Sequence, residues 1–241
     1  MISKIELYYK INRLLNSSGF DLRRFPGTAQ RILIKYLNEN NITHCFDVGA
    51  NIGQYGRYLR SIGFKGKIFS FEPQKKVFNQ LHKRAARDSN WQVYNIGLGN
   101  ANEKRVINIS KNSVSSSILE INPLLVKTIP ETEYVFKEDV LIERIDYFIK
   151  AIDFQEKFFL KIDAQGFESK ILEGAEGCIK DIYALQIELS CISLYKEEKL
   201  FDEMKGYIES KGFFLSSIEN GFADHFSGRL LQIEAIFLRD S

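Results

Sequence analysis

The sequence predicts a doubly wound α/β fold on a mostly parallel sheet, and three observations lead there. From residue 43 onward, short β-rich runs alternate with amphipathic helical stretches, the pattern of parallel strands joined by crossover helices. The first run ends in FDVGANIGQY (Phe46–Tyr55), an acid followed by two glycines four apart, at the kind of strand end where open α/β sheets hold ligands. The last two strands are joined by ENGFADHFSG, which contains no helical pattern, so they pair antiparallel. The expected sheet has seven strands, with an antiparallel final strand and N-terminal helices ahead of it.

Two helical patterns open the chain. In IELYYKINRLL, residues Ile5, Tyr8, Tyr9, Ile11 and Leu15 fall roughly on one face, with Lys10 and Arg13 elsewhere. That reads as a packing helix, with a membrane-surface or dimer helix as the alternative. TAQRILIKYLNENN follows, with Thr28 as a candidate N-cap. Residues 1–42 thus form an N-terminal helical segment before a domain over 43–241.

Within that domain THCFDVGA is the first strand, and GQYGRYLRSIG is a helix stopping at Gly63. KIFSFEP is the second strand, and KKVFNQLHKRAARD is a helix turning Val77, Phe78, Leu81 and Ala85 inward. WQVYNIG gives a third strand and FFLKIDA a later one. FESKILEGAEGCIK reads as one helix, with Phe167, Ile171, Leu172, Ala175 and Ile179 on a common face. YALQIEL, EEKLFDEMKGYIESKG and FFLSSIE are strand, helix and strand, and LQIEAIFL alternates as a half-covered strand. Ser110–Val140 is the one long irregular stretch, with serines at 115–117 and prolines at 123 and 130. That length in a compact domain marks a lid or binding loop, expected to be a mobile insertion on the substrate side.

Bulk properties narrow the function. The 241 residues suit one sizeable domain. With 33 basic against 31 acidic residues, the chain lacks the basic excess of a nucleic-acid partner. Cys45, Cys178 and Cys191 are odd in number and lack CxxC spacing, so they read as reduced core thiols. Met1–Lys10 has no apolar signal core, and no run reaches the roughly 18 apolar residues of a membrane span. The expectation is cytoplasmic, with peripheral membrane contact and homo-oligomerisation left open.

The turn in FDVGANIGQY excludes some ligands. GxxxxGK[ST] is absent, and Asn51 stands where a dinucleotide turn carries its second glycine, so a pyrophosphate on the helix N-terminus is disfavoured. Asp47 aims a carboxylate at the same place, suiting a cationic or amine-bearing ligand. Glu72 ends the second strand 23 residues after Gly49, near the spacing of an acid that accepts ribose hydroxyls. A nucleoside with a positive group in place of phosphate fits S-adenosylmethionine.

These residues carry a resemblance. DVGANIG followed by FEP resembles the cofactor motifs of class I methyltransferases. KIDAQGFESKILEGAE is similar to the FkbM family pattern KIDVEGxExxVLxGA, and SVSSSIL and VLIERIDYFI match further pieces of it. The likeness spans about Thr43–Glu188; it departs at Gln165, where the family usually has an acid, and at Arg144–Ile145, where it prefers Thr–Leu. The resemblance implies that Gly49, Ala50, Asn51 and Gly53 line the methionine part of the cofactor, with Gln54 and Tyr55 beside them and Asp47 facing its amine. It implies that Glu72 holds the ribose, Pro73 shapes that turn, and Gly97 and Leu98 border the adenine. It further implies O-methylation, often of sugar hydroxyls in glycans, glycolipids and secondary metabolites.

Methyl transfer to an unactivated hydroxyl needs a base or a metal. Period-two geometry puts Lys161 and Asp163 on one face at the end of the KID strand, and Glu188 ends the adjacent strand. These acids are candidates for base and orienter, or for sharing Mg²⁺, which prefers oxygen ligands. Glu168 reads as a surface acid in a first helical turn, His44 and His82 as bystanders, and His225 as a candidate base on the substrate rim. Competing readings are a methyltransferase acting on another small molecule, at nitrogen or oxygen, and a non-catalytic cofactor-binding module. No NPPY-type tetrapeptide follows KID, which counts against methylation of exocyclic base nitrogens.

Overall fold

The computed structural model describes residues 3–20 and 25–240. In chain order its elements are α1 (Lys4–Asn16), α2 (Thr28–Glu39), β1 (His44–Val48), α3 (Gln54–Ser61), β2 (Lys67–Phe71), α4 (Lys75–Ala85) and β3 (Trp91–Tyr94). Then come β4 (Gly97–Leu98), β5 (Glu103–Ser110), α5 (Pro123–Thr128), β6 (Tyr134–Glu143), α6 (Ile145–Ala151), β7 (Phe158–Ile162) and α7 (Glu168–Glu173). The chain closes with β8 (Ile182–Ser190), α8 (Phe201–Ser210), β9 (Phe213–Asn220) and β10 (Gln232–Arg239).

Seven strands form the main sheet in the order β3-β2-β1-β7-β8-β10-β9. β3, β2, β1, β7 and β8 run parallel, while β10 is antiparallel to both β8 and β9, as the helix-free final connection requires. Parallel strands covered on both faces read as near-continuous apolar runs, and β7 is buried along its whole length. Alternate residues feed two cores. Phe46, Phe71, Phe158, Leu160 and Ile162 enter one, where the Phe46 and Phe158 rings lie 4.5 Å apart; Cys45, Ile68 and Phe159 enter the other with Leu59, Leu81 and Trp91. α2 joins that second core through Leu33 and Leu37, each 1% exposed.

Several expectations are corrected. α1 forms over a Ser3–Glu6 capping box; of the face expected to pack, Tyr8, Tyr9 and Ile11 are exposed and Leu15 is half-buried, and the side chain of Ile5 lies outside the described residues. Gly27, not Thr28, caps α2. The third strand stops at Tyr94, and Gly97–Leu98 pairs instead with β6 in a second sheet ordered β4-β6-β5. The long helix expected over 167–180 breaks after Glu173 into a 3₁₀ turn over Glu176–Asp181; at the break the Gly174 carbonyl accepts from the Asp146 amide, and a Cβ on Gly174 would overlap the Gly99 carbonyl. LQIEAIFL is covered on both faces, since Ile236 and Leu238 pack into the α2 core. Residues 110–140 are only partly irregular: 111–121 are mainly turns and bends, but Asn122 caps α5, Pro123 takes its first position, and most of β6 pairs antiparallel with β5. Cys45 and Cys178 are buried free thiols, and Cys191 is a partly buried one.

Candidate functional site

A cavity of about 740 Å³ opens at the C-terminal ends of β1, β2, β7 and β8, where the topology of an open sheet places ligands. The turn after β1 forms one wall through Gly49, Ala50 and Asn51. Gly49 has φ 74°, and a Cβ there would lie 1.8 Å from the Asp163 carbonyl oxygen. Glycine therefore lets the turns after β1 and β7 touch, a packing demand as much as a ligand demand. Every amide of this turn is committed. Those of Gly49 and Ala50 donate to the Phe71 carbonyl, that of Asn51 to Glu72, that of Ile52 to the Asn51 side chain and that of Gly53 to the Ala50 carbonyl. No nest of free N–H groups remains for a phosphate, in keeping with the missing dinucleotide and P-loop patterns.

Glu72 lines the cavity at 2% exposure. Its Oε2 accepts from the Asn51 amide and its Oε1 from the Gln74 amide, each at 2.9 Å. Burial pushes its carboxyl up to about 7, although both backbone hydrogen bonds pull the other way. Pro73, Gly97 and Leu98 stand beside it, with Phe71, Phe167 and Ile171 as apolar wall, and Gln54 and Tyr55 also reach the cavity. Across this end runs the serine stretch: Ser113 accepts at its carbonyl from Gln74 Nε2 at 3.2 Å, and Ser117 Oγ donates to the Gln165 carbonyl at 2.6 Å.

Two expected cofactor contacts do not line the cavity. Gly53 is packed under Leu81 and Trp91, where a Cβ would lie 2.9 Å from each. Asp47 is fully buried. Its Oδ2 accepts from Ser70 Oγ at 2.9 Å, its Oδ1 has no hydrogen-bond partner, and the Lys161 ammonium lies 3.9 Å from that atom. Burial pushes the Asp47 carboxyl up, and Lys161 and Ser70 partly offset this.

Lys161 is 5% exposed and reaches the cavity beside Asp163, whose Oδ2 accepts from its Nζ at 3.2 Å. Burial opposes the ammonium charge, but Asp163 and Asp47 outweigh it and hold Lys161 above the usual lysine range. The other oxygen of Asp163 accepts from Gln165 Nε2 at 2.8 Å; the same nitrogen donates to Glu188 Oε2 at 3.0 Å. Burial, then the Asp163 carboxylate, pushes Glu188 well above the usual carboxylate range.

His225 is exposed in the loop before β10 and does not line the cavity. His82 stacks on Phe78 and His44 packs edge-on to Phe154, both away from it, as expected of bystanders. Glu168 is not a surface acid: at 7% exposure its Oε1 accepts from the amides of Ala164 and Gly166, fastening the turn after β7. Burial pushes it up to about 7.

The shared-Mg²⁺ arrangement does not fit these residues. Among the described residues no three His, Cys, Asp or Glu side chains gather as a metal site. Between Asp163 and Glu188 stands an amide donor, and Glu188 Oε2 also accepts from Gln232 Nε2 at 2.8 Å; a cation needs oxygen donors there, not N–H groups.

Sequence reasoning missed Gln186, Gln232 and Glu234. QIE occurs at 186–188 in β8 and again at 232–234 in β10, in strands that are otherwise apolar. Glu188 and Glu234 face each other in register. Gln186 Nε2 donates to Glu234 Oε1 at 2.8 Å, so the two strands exchange amide–carboxylate bonds. Tyr55 OH donates to Gln186 Oε1 at 2.5 Å. Polar residues at alternate positions of a buried strand demand partners, and that was the available signal.

Fold and site together define a class: a doubly wound α/β protein that binds a nucleoside-bearing cofactor at its strand ends. The methyltransferase FkbM domain model matches residues 47–215; the chain belongs to that family and is an S-adenosylmethionine-dependent methyltransferase. Solved structures with a similar chain path include an rRNA methylase from Streptococcus thermophilus, at 11% identity over 90% of this chain and 100% of that one, TM-score 0.49. TrmK of M. capricolum with S-adenosyl-homocysteine is 12% identical over 83% of this chain and 64% of that one, TM-score 0.44. TehB of Haemophilus influenzae is 10% identical over 90% of this chain and 64% of that one, TM-score 0.44. No curated protein matches the chain. The residues present fit the cofactor: Glu72 is an acceptor for a diol, the apolar wall suits a purine, and the volume lies within the roughly 300–1,000 Å³ of small-molecule sites. No helix among the described residues is long and apolar enough to cross a membrane.

Proposed function

We propose that the protein methylates a hydroxyl of a neutral sugar, free or in a glycan or glycolipid. The observation that carries this reading is the lining beyond the cofactor turn. There Asp163, Gln186, Glu188, Gln232 and Glu234 offer hydrogen-bonding groups suited to a polyol, and Lys161 is the one basic side chain among the described lining residues. Lys161 is already committed to Asp163 and Asp47, which leaves no cation for a phosphorylated acceptor. S-adenosylmethionine supplies an electrophilic methyl: its C–S pair stays on sulfur as the new O–C bond forms. Asp163 is the base in this reading. Lys161 and Gln165 hold its two oxygens, its side chain remains 36% exposed, and it takes the hydroxyl proton. Glu188 and Glu234 orient the sugar by accepting from its other hydroxyls.

Incubation with labelled cofactor and parallel panels of neutral sugars, phosphorylated sugars, amines and RNA tests the reading. Turnover is expected with neutral glycosides alone, and Asp163→Asn is expected to lose about 10²–10⁴ in kcat at nearly unchanged cofactor affinity. Methylation confined to amines or RNA, or an undiminished Asp163→Asn, would replace it.

A further inference from the structure

Gln165 is held at four points. Its residue adopts φ 53°, a left-handed conformation uncommon outside glycine and asparagine, in the turn that Glu168 fastens. Its carbonyl accepts from Ser117 Oγ at 2.6 Å, and its side-chain Oε1 accepts from Tyr195 OH at 2.8 Å. Tyr195 is itself fully buried, with its ring against Gly166. With its oxygen occupied by that hydroxyl, the amide presents its nitrogen to the gap between Asp163 and Glu188 and bonds both. An amide with two N–H groups can serve two acceptors at once, and here the two acceptors belong to adjacent parallel strands.

Two carboxyl groups brought this close cannot both ionise freely unless something positive stands between them. A divalent cation is one solution and a bridging donor is another. The donor has a further effect: it leaves each acid with its remaining lone pairs directed away from the bridge, so Asp163 can accept a proton from a group in the cavity.

We propose that Gln165 is the positioning residue of the methyl-transfer site, its side-chain amide standing where a divalent cation would otherwise join Asp163 to Glu188. This rests on the assignment of Asp163 as base. Gln165 lines the cavity, but its side-chain nitrogen and oxygen are already taken by Asp163, Glu188 and Tyr195; it acts by holding the two acids at hydrogen-bonding distance from one nitrogen. Replacing the amide by a carboxylate of the same shape would remove the donor and bring three acids together, two in the turn after β7 and Glu188 in β8. Such a group has the oxygen-only character that hard cations select, so Gln165→Glu should acquire a metal site that the parent lacks.

Two measurements test the proposal, one of them independent of activity. Terbium(III) luminescence excited through tyrosine reads cation binding beside Tyr195. Gln165→Glu is expected to give a saturable signal, lost on adding Asp163→Asn, and the parent none at the same concentrations. Steady-state kinetics of Gln165→Ala should show kcat reduced about 10- to 100-fold, with S-adenosylmethionine affinity by calorimetry within twofold of the parent and acceptor KM little changed. Retained cofactor affinity certifies folding, and Gln165→Glu, being isosteric, serves if the alanine variant does not fold. A parent that binds terbium(III) through Asp163, or a Gln165→Ala enzyme with parental kcat, overturns the clamp. If Asp163→Asn itself keeps parental kcat, the base assignment is at fault instead. If Asp163→Asn is inactive while Gln165→Ala is not, the base stands and the clamp falls.

Discussion

Glu72 and Asp47 are both acids near the ends of neighbouring strands, and what separates them is their partners. Glu72 keeps lone pairs facing the cavity while its other contacts are backbone amides; Asp47 is sealed below Lys161 and Ser70. The sequence marks both as strand-end acids, but the parallel register that sets Asp47 against Ser70 and Lys161 is non-local and leaves no trace in the local pattern. A consequence can be measured for Glu72. Its carboxyl sits at about 7 because it is buried, and a ribose diol donating to it favours the ionised form. Cofactor binding should therefore release a proton near pH 7, and affinity should rise as pH increases through that value. Calorimetry at pH 6.5 in buffers of different ionisation enthalpy should give buffer-dependent heats. Glu72→Gln should abolish that dependence and weaken binding by about 1.5–3 kcal/mol, the range for hydrogen bonds to charged groups. Heats that are the same in every buffer would remove Glu72 from the ribose.

Helices and strands with local signals were legible, and those defined by partners were not. The apolar spacing of Val77, Leu81 and Ala85 specified α4, and all three are buried. Nothing local revealed that residues 97–98 leave the main sheet to pair with β6, or that α7 ends at Gly174, where the chain passes close to the Gly99 carbonyl. Within 110–140 the strand over 134–140 escaped notice because β5 and β6 are polar on one side and pair only with each other and β4, while residues 112–118 line the cavity. Two glycine substitutions separate these kinds of constraint. At Gly206, within α8, an added Cβ meets nothing within 4 Å, so Gly206→Ala should stabilise by about 0.5–1 kcal/mol through helix propensity. At Gly49 the Cβ would overlap the Asp163 carbonyl in a left-handed backbone. Gly49→Ala should cost at least about 2–3 kcal/mol, lowering Tm by roughly 4–12 °C, and should weaken cofactor binding as the β1 and β7 turns separate. Similar melting temperatures for the two variants would mean that the turns do not press on each other as described.

For the whole molecule, a formal charge of +2 conceals an uneven placement of acids. Topology was legible because alternating strands and helices leave few chain paths, but the set of acids carried inside just after β2, in α7 and in β10 was not. Burial pushes Glu72, Glu168 and Glu234 each up to about 7, against about 4.3 in an unfolded chain. Between those values the folded protein binds more protons than the unfolded one, so its stability falls as pH rises from about 4.5 to about 7. Each fully titrating group contributes a slope of up to about 1.4 kcal/mol per pH unit. Asp146, held low by hydrogen bonding to Arg144, and Asp88, held low by hydrogen bonding to Arg60, act in the opposite sense: their stabilisation is present above the unfolded value and lost as pH falls through the folded one. His44, lowered by burial, also opposes the trend over a narrow window below about 6.5. The free protein should therefore melt highest near pH 4.5 and lower at pH 7.5. Saturating cofactor should flatten the upper part of that profile by favouring ionised Glu72. Glu168→Gln keeps an oxygen for the amides of Ala164 and Gly166 but removes one titrating group. Its melting temperature should match the parent near pH 4.5 and exceed it increasingly up to about pH 7. If the two profiles stay parallel across that range, Glu168 does not carry the folded-state proton that its burial implies, and the stability maximum must come from other groups.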